Sequence, residues 1–124
     1  VVVHGETIIE PVKKGTNLAA VHSRFVDILA HPGFLTREET EIAVQNNIFI
    51  EITARKGHSL TNGHVALMTQ AYRANIVVNS DTHNSDNLLN SEIAATIARG
   101  SGITQDELAQ ILEINPQTLL HRLS

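Results

Sequence analysis

The sequence predicts an α/β fold of parallel strands, either a doubly wound sheet or part of a (β/α) TIM-like barrel, and three observations carry that prediction. Four short apolar, β-branched runs, at residues 1–3 (VVV), 25–30 (FVDILA), 48–53 (IFIEIT) and 76–79 (IVVN), each read as a largely buried strand. Stretches of helical character separate them, which argues for parallel pairing through crossovers of one hand. The strand ends recur about every 25 residues, at His4, His31, Thr53 and Ser80, the rhythm of βα units in a barrel that takes about 250 residues when whole. Four strands do not close such a barrel. The expectation is therefore one domain over 1–124, an open sheet or a piece of a barrel, with strand and helix units over 1–90 and a helical tail over 91–124.

Taken in order, the first run opens the chain inside an apparent strand with no lead-in, and a truncated chain is expected. Residues 17–24 have helical character. Residues 36–46 begin with Thr36 and carry Glu39 three positions on, a capping-box pattern. Over 62–74, Val65, Leu67, Met68 and Ala71 recur at helical intervals. Beyond Asp86 only helices are expected: 91–99, 104–112 behind a second capping-type Thr104, and 115–123 with Pro116 in its first turn, with the Ile, Leu and Ala residues of the tail packing on the outside of the sheet.

Bulk properties narrow the function classes. At 124 residues and 42% hydrophobic the chain can bury one sizeable core. It has no cysteine, which removes disulfides and thiol catalysis and suits a reducing compartment. The opening VVVHGETIIEP lacks the charged and apolar regions of a leader, and no apolar run approaches the roughly 20 residues that span a bilayer, so a cytoplasmic protein without membrane attachment is expected. The net charge is −4 and the basic residues are scattered, which argues against a nucleic-acid partner, since phosphate backbones demand a cationic patch.

In parallel α/β architectures ligands bind beyond the carboxyl ends of the strands. Here those ends read His4-Gly5-Glu6, His31-Pro32-Gly33, Ala54-Arg55-Lys56-Gly57-His58 and Ser80-Asp81-Thr82-His83. Each placement alone has an ordinary explanation: His31 as a turn residue, Asp81 closing an Asx-turn, and 55–58 as a solvated basic turn. Four in register point instead to a shared site. Asp81 and His83, two apart in an extended segment, present side chains on one side and can reach one ion. His4 is the ligand expected from the first strand, with Glu6 as the alternative. Glu6 and Glu10 otherwise serve as hydrogen-bond partners of a ligating histidine or as loop solvation. A mixed imidazole and carboxylate set suits Zn²⁺, Mn²⁺ or Fe²⁺. Such an ion activates water and polarises an ester oxygen, so hydrolysis is the expected reaction. Arg55, Lys56 and His58 read as a clamp for a substrate phosphate. His22, His64 and His121 fall within helices and read as surface or packing residues, although His64 lies where a helix N-terminus could face the site.

The segments VDILAHPG, EITARKGHSLTNGHVA and VVNSDTH resemble the polymerase and histidinol phosphatase (PHP) superfamily, especially its stand-alone phosphatase-like members. The resemblance covers about residues 1–90, and the tail, with Asn115-Pro116 and Leu119-Leu120, is similar to the family's carboxyl terminus. It implies a distorted seven-unit (β/α) barrel, of which this chain is the carboxyl-terminal part, and in which two or three Zn, Mn or Fe ions hydrolyse small phosphorylated substrates, histidinol phosphate among them. Carried over, the metal ligands are His4, His31, Asp81 and His83, the last three also catalytic. The family's amino-terminal His-x-His motif, a further early histidine and a bridging acid have no counterpart in this chain. A missing amino-terminal half, or self-association, is expected to complete the site. Two rival readings are an amidohydrolase-type metal hydrolase, against which the Arg55-Lys56 loop argues, and a non-catalytic scaffold like the ribonuclease P protein subunit, against which the retained ligands and acidic balance argue.

Overall fold

The computed structural model describes residues 1–124. The strands are β1 (Val2–His4), β2 (Ile28–Ala30), β3 (Phe49–Thr53) and β4 (Ile76–Asn79), and the helices α1 (Thr16–His22), α2 (Arg37–Gln45), α3 (Asn62–Tyr72), α4 (Ser91–Gly100) and α5 (Asn115–Leu123). The fold is α/β: one sheet in the order β1-β2-β3-β4, every neighbouring pair parallel.

The register sorts the side chains onto two faces. Val3 lies opposite Leu29, Leu29 opposite Ile50, and Ile50 opposite Ile76. With Ile52 these belong to one apolar cluster together with Ala20 and Val21 of α1, Ala43 of α2, Val65 and Ala66 of α3, and Ala98 of α4. The helices α1 to α4 therefore share one face. The opposite face divides along its length. Toward the amino ends it carries Ile28, Phe49 and Val77, and toward the carboxyl ends Glu51, Thr53 and Asn79.

Both capping boxes form, Thr36 with Glu39 and Thr104 with Glu107. Three expectations are revised. The second strand begins at Ile28 rather than at 25, because residues 23–26 turn, with the Val26 amide donating to the Ser23 carbonyl at 3.3 Å, and leave Phe25 exposed beneath the Arg24 guanidinium. The tail does not break between 112 and 115. A helical path runs from a 3₁₀ turn at Gln105–Glu107 through a π-helical turn at Gln110–Ile114 directly into α5. Pro116 has no N–H to give and its ring would collide with the carbonyl four residues earlier; the wider π turn accommodates it. Finally, α4 packs on the outer face as expected, but α5 does not. It crosses to the opposite face, where Leu119 joins Ile28, Phe49 and Val77, and Asn115 Nδ2 donates to the Ile76 carbonyl at 2.8 Å. No helix is long and apolar enough to cross a membrane.

Candidate metal centre

All four carboxyl ends of the strands reach one edge, as the spacing predicts. His4 ends β1, His31 follows β2, His58 opens a 3₁₀ turn (His58–Thr61) after β3, and Asp81 lies two residues beyond β4. Side-chain amides tie the loops to this edge. Asn62, at the start of α3, bonds both backbone groups of Thr53, and buried Asn17 of α1 accepts from the Glu6 amide and donates to the Pro32 carbonyl. The backbone is strained where it delivers the functional groups: His31 and Asp81 have φ of 31° and 46°, values that L-residues rarely adopt. Gly33, at φ 67°, sits so close to the Glu6 carbonyl oxygen that a Cβ would come within 2.0 Å of it.

Three imidazoles converge there. Ring centroids of His4 and His31 are 4.4 Å apart, those of His31 and His58 4.4 Å, and those of His4 and His58 5.6 Å. One ring nitrogen from each lies within 4.8 Å of the others. Each ring is oriented from behind. The backbone amide and Nδ1 of His31 both donate to Oε2 of Glu51, at 2.7 and 2.8 Å, and both residues are buried. A carboxylate only accepts, so the proton sits on Nδ1 and the Nε2 lone pair faces the cluster. His58 Nδ1 is hydrogen-bonded to the Thr7 hydroxyl at 2.6 Å. The Nε2 atoms of His31 and His58 are buried and have no hydrogen-bond partner. Burial and the neighbouring His31 push the His58 pKa below its ordinary value, which keeps that ring neutral and able to ligate.

The remaining predicted residues divide. Asp81 Oδ2 lies 4.0 Å from His31 Nε2 and contacts the Arg55 guanidinium. Burial would raise the Asp81 pKa, but the bond and charge of Arg55, with His31 and His83, hold it below the usual carboxylate range. His83 stands at the exposed rim, its Nδ1 2.6 Å from the Asp81 carbonyl and 3.2 Å from Arg55 Nη1. Lys56 is exposed and makes no hydrogen bond or ion pair. His58, expected in the phosphate clamp, belongs instead to the histidine cluster. Glu6, expected behind a ligand, caps α1: its carboxylate accepts from the amides of Gly15 and Asn17 at 3.1 and 3.0 Å. Glu10 takes that place, with one oxygen 3.1 Å from His4 Nε2 and the other 3.4 Å from His58 Nε2. His64 is a packing residue, its Nε2 bonded to the Leu35 carbonyl. Sequence reasoning missed Glu51 and Thr7. Glu51 had a signal, since an acid inside an otherwise apolar parallel strand must find a partner.

The chain has a long relative. It is 46% identical over 123 residues to an uncharacterised protein of Methanocaldococcus jannaschii. The match covers 99% of this chain but 56% of the relative, so the chain spans about half of the protein it matches. No family model matches the chain, and no solved structure does.

Proposed function

We propose that this chain is the carboxyl-terminal part of a metal-dependent phosphoesterase of the PHP type whose motifs it resembles. The observation that carries the reading is the pair of buried, unpartnered Nε2 atoms of His31 and His58 converging with His4. Leaving a buried polar atom without a partner costs about 1–3 kcal/mol, so two of them in one place mark a position for a ligand. Three imidazoles beside carboxylates fit Zn²⁺, Mn²⁺ or Fe²⁺ and fit Mg²⁺ or Ca²⁺ poorly. His4, His31 and His58 would hold one such ion, with Asp81 and His83 toward any further one. When bound, the metal supplies a Lewis acid and a hydroxide at neutral pH.

The chain's own groups then divide the remaining work. Glu51 fixes the His31 ring and its tautomer. Arg55, aimed by Asp81, presents a planar guanidinium to the substrate phosphate. Where no second ion engages it, His83, at the rim, can move a proton to or from the leaving oxygen. An open cleft of about 280 Å³ beside the cluster, lined by His31, Glu51, Ser80, Asp81 and Thr82 among others, suits a small phosphorylated metabolite. The placement of α1 to α4 on one face and the sequential strand order support a barrel segment. An amino-terminal half, or a second chain, would add strands beside β1 and the remaining ligands.

The test uses the protein with its full native sequence, loaded in turn with Zn²⁺, Mn²⁺ and Fe²⁺ and offered phosphomonoesters, phosphodiesters and amides. Phosphoester hydrolysis that follows metal content is expected. Asp81→Ala should lower both bound metal and rate, the rate by about 100-fold or more, whereas Arg55→Ala should keep the metal and lower kcat/KM, most for dianionic monoesters. Metal binding with amide hydrolysis alone would replace the reading by an amidohydrolase, and absence of metal binding would remove it.

A further inference from the structure

We infer that Glu10 is a metal ligand, the carboxylate that closes the set begun by His4, His31 and His58, and that the loop carrying it is latched over the site by the ion. The inference rests on the metal reading above and adds to it a residue outside the motifs that carry the family resemblance.

The hydrogen-bond chemistry of His4 is the first argument. Its Nδ1 lies 3.1 Å from the Gly5 carbonyl and its Nε2 3.1 Å from Glu10 Oε2. Both partners are acceptors, and a neutral imidazole has one N–H. Neutral His4 therefore sets a lone pair against an oxygen lone pair at one of the two contacts, and only the doubly protonated imidazolium satisfies both. On the other side of the carboxylate, Oε1 of Glu10 stands 3.4 Å from the buried, unpartnered Nε2 of His58. A cation among these atoms gives both Nε2 atoms and the carboxylate a common partner without charging either ring. Two distances agree, since four bonds of about 2.1 Å at tetrahedral angles place donor atoms about 3.4 Å apart and Glu10 stands 3.1 and 3.4 Å from the Nε2 atoms of His4 and His58.

The loop is built to hold this position. Glu6 anchors its first residues on the amides at the start of α1, and Thr7, buried, reaches His58 Nδ1. Ile9 lies against Gly57, at φ 86°, where a Cβ would meet its Cδ1 at 2.5 Å. Between these anchors Glu10 turns inward although its side chain is 44% exposed.

The test is metal titration of the full-length protein and of its Glu10→Gln and Glu10→Ala variants, using Zn²⁺ for affinity and Co²⁺ for its visible absorption. Glu10 is exposed enough for both variants to fold, which thermal unfolding of the metal-free proteins verifies. The expected result is a loss of at least about 10-fold to 100-fold in Zn²⁺ affinity. Cobalt absorption should weaken as water replaces the carboxylate. Added Zn²⁺ should also protect the 5–15 loop from proteolysis in the native protein and not in the variants. Unchanged affinity and an unchanged cobalt spectrum in both variants would overturn the inference while leaving the three-histidine site standing. A native protein that binds neither ion would overturn the inference together with the function it rests on.

Discussion

The two ends of the same four strands are finished in opposite ways. At the amino end, α5 crosses the sheet and the groups it turns toward the strands are matched: Leu119 closes over Ile28, Phe49 and Val77, Asn115 meets the Ile76 carbonyl, and Arg122 reaches Asp27 and the Asn47 carbonyl. At the carboxyl end the strands run into left-handed His31 and Asp81, three imidazoles crowd together, and two buried nitrogens have no partner. Left-handed residues occur at both ends, Asn47 and Arg73 before β3 and β4 as well as His31 and Asp81 after β2 and β4, so the difference lies in the polar groups: partnered at the amino end, unpartnered where the histidines gather.

The largest effect expected from this contrast comes from separating the two ends by substitution. Leu119→Ala removes most of a side chain that is 9% exposed and opens the small cluster on the inner face, so unfolding free energy should fall by about 2–3 kcal/mol, the low end for a buried leucine, with metal affinity unchanged. His31→Asn should do the reverse, abolishing tight metal binding while moving the metal-free denaturation midpoint less. Equal losses of metal-free stability in the two variants would break the distinction between a structural and a functional end.

A smaller effect sharpens the role of the buried acid. Glu51→Gln keeps an oxygen able to accept from the His31 backbone and ring but removes the charge behind the imidazole. Metal affinity should drop by about 10-fold to 100-fold, because an outer carboxylate raises the basicity of the ring it holds. If affinity is unchanged, Glu51 serves the sheet and not the site.

The history of these residues in the sequence explains what could be read from it. His4, His31, Arg55 and Asp81 were legible because each terminates a run whose period and composition are strong, and parallel pairing carries them to one edge. The inner lining was less legible. Glu51 hides within IFIEIT, where alternation in a strand buried on both faces cannot tell which side it serves. His58 follows Arg55 and Lys56 and looks like part of a basic turn. Its inward direction depends on Gly57 and on a bond to Thr7, 51 residues away, that no local pattern encodes. Both Glu6 and Glu10 are candidates by sequence to bond a ligating histidine, and only the position of the α1 N-terminus decides which of them caps a helix instead. In the tail, Asn115-Pro116 carries the local signature of a helix start; packing of Leu119 under the sheet made it the middle of a bend.

The smallest expected effect concerns protons at His58, which faces His31, His4, Glu10 and Arg55. Burial and His31 hold its folded pKa below the ordinary 6.5, with Glu10 opposing. Between the folded pKa and 6.5 the unfolded chain binds more protons than the folded one, so stability rises with pH through that window. This contribution is complete above 6.5 and is lost as the pH falls below it, because folding must then charge a ring buried against other imidazoles or leave its proton behind. Denaturation midpoints of the metal-free protein should therefore decline on acidification from about pH 7 to pH 5, and His58→Gln should flatten that decline. With Zn²⁺ present the native decline should steepen, since protons and metal compete for the same Nε2 lone pair, and the variant should show no such steepening at this position. A native slope that His58→Gln leaves untouched, with and without Zn²⁺, would mean that the ring is neither held neutral by its surroundings nor used as a ligand, and the carboxyl end of the sheet would lose one of its three histidines.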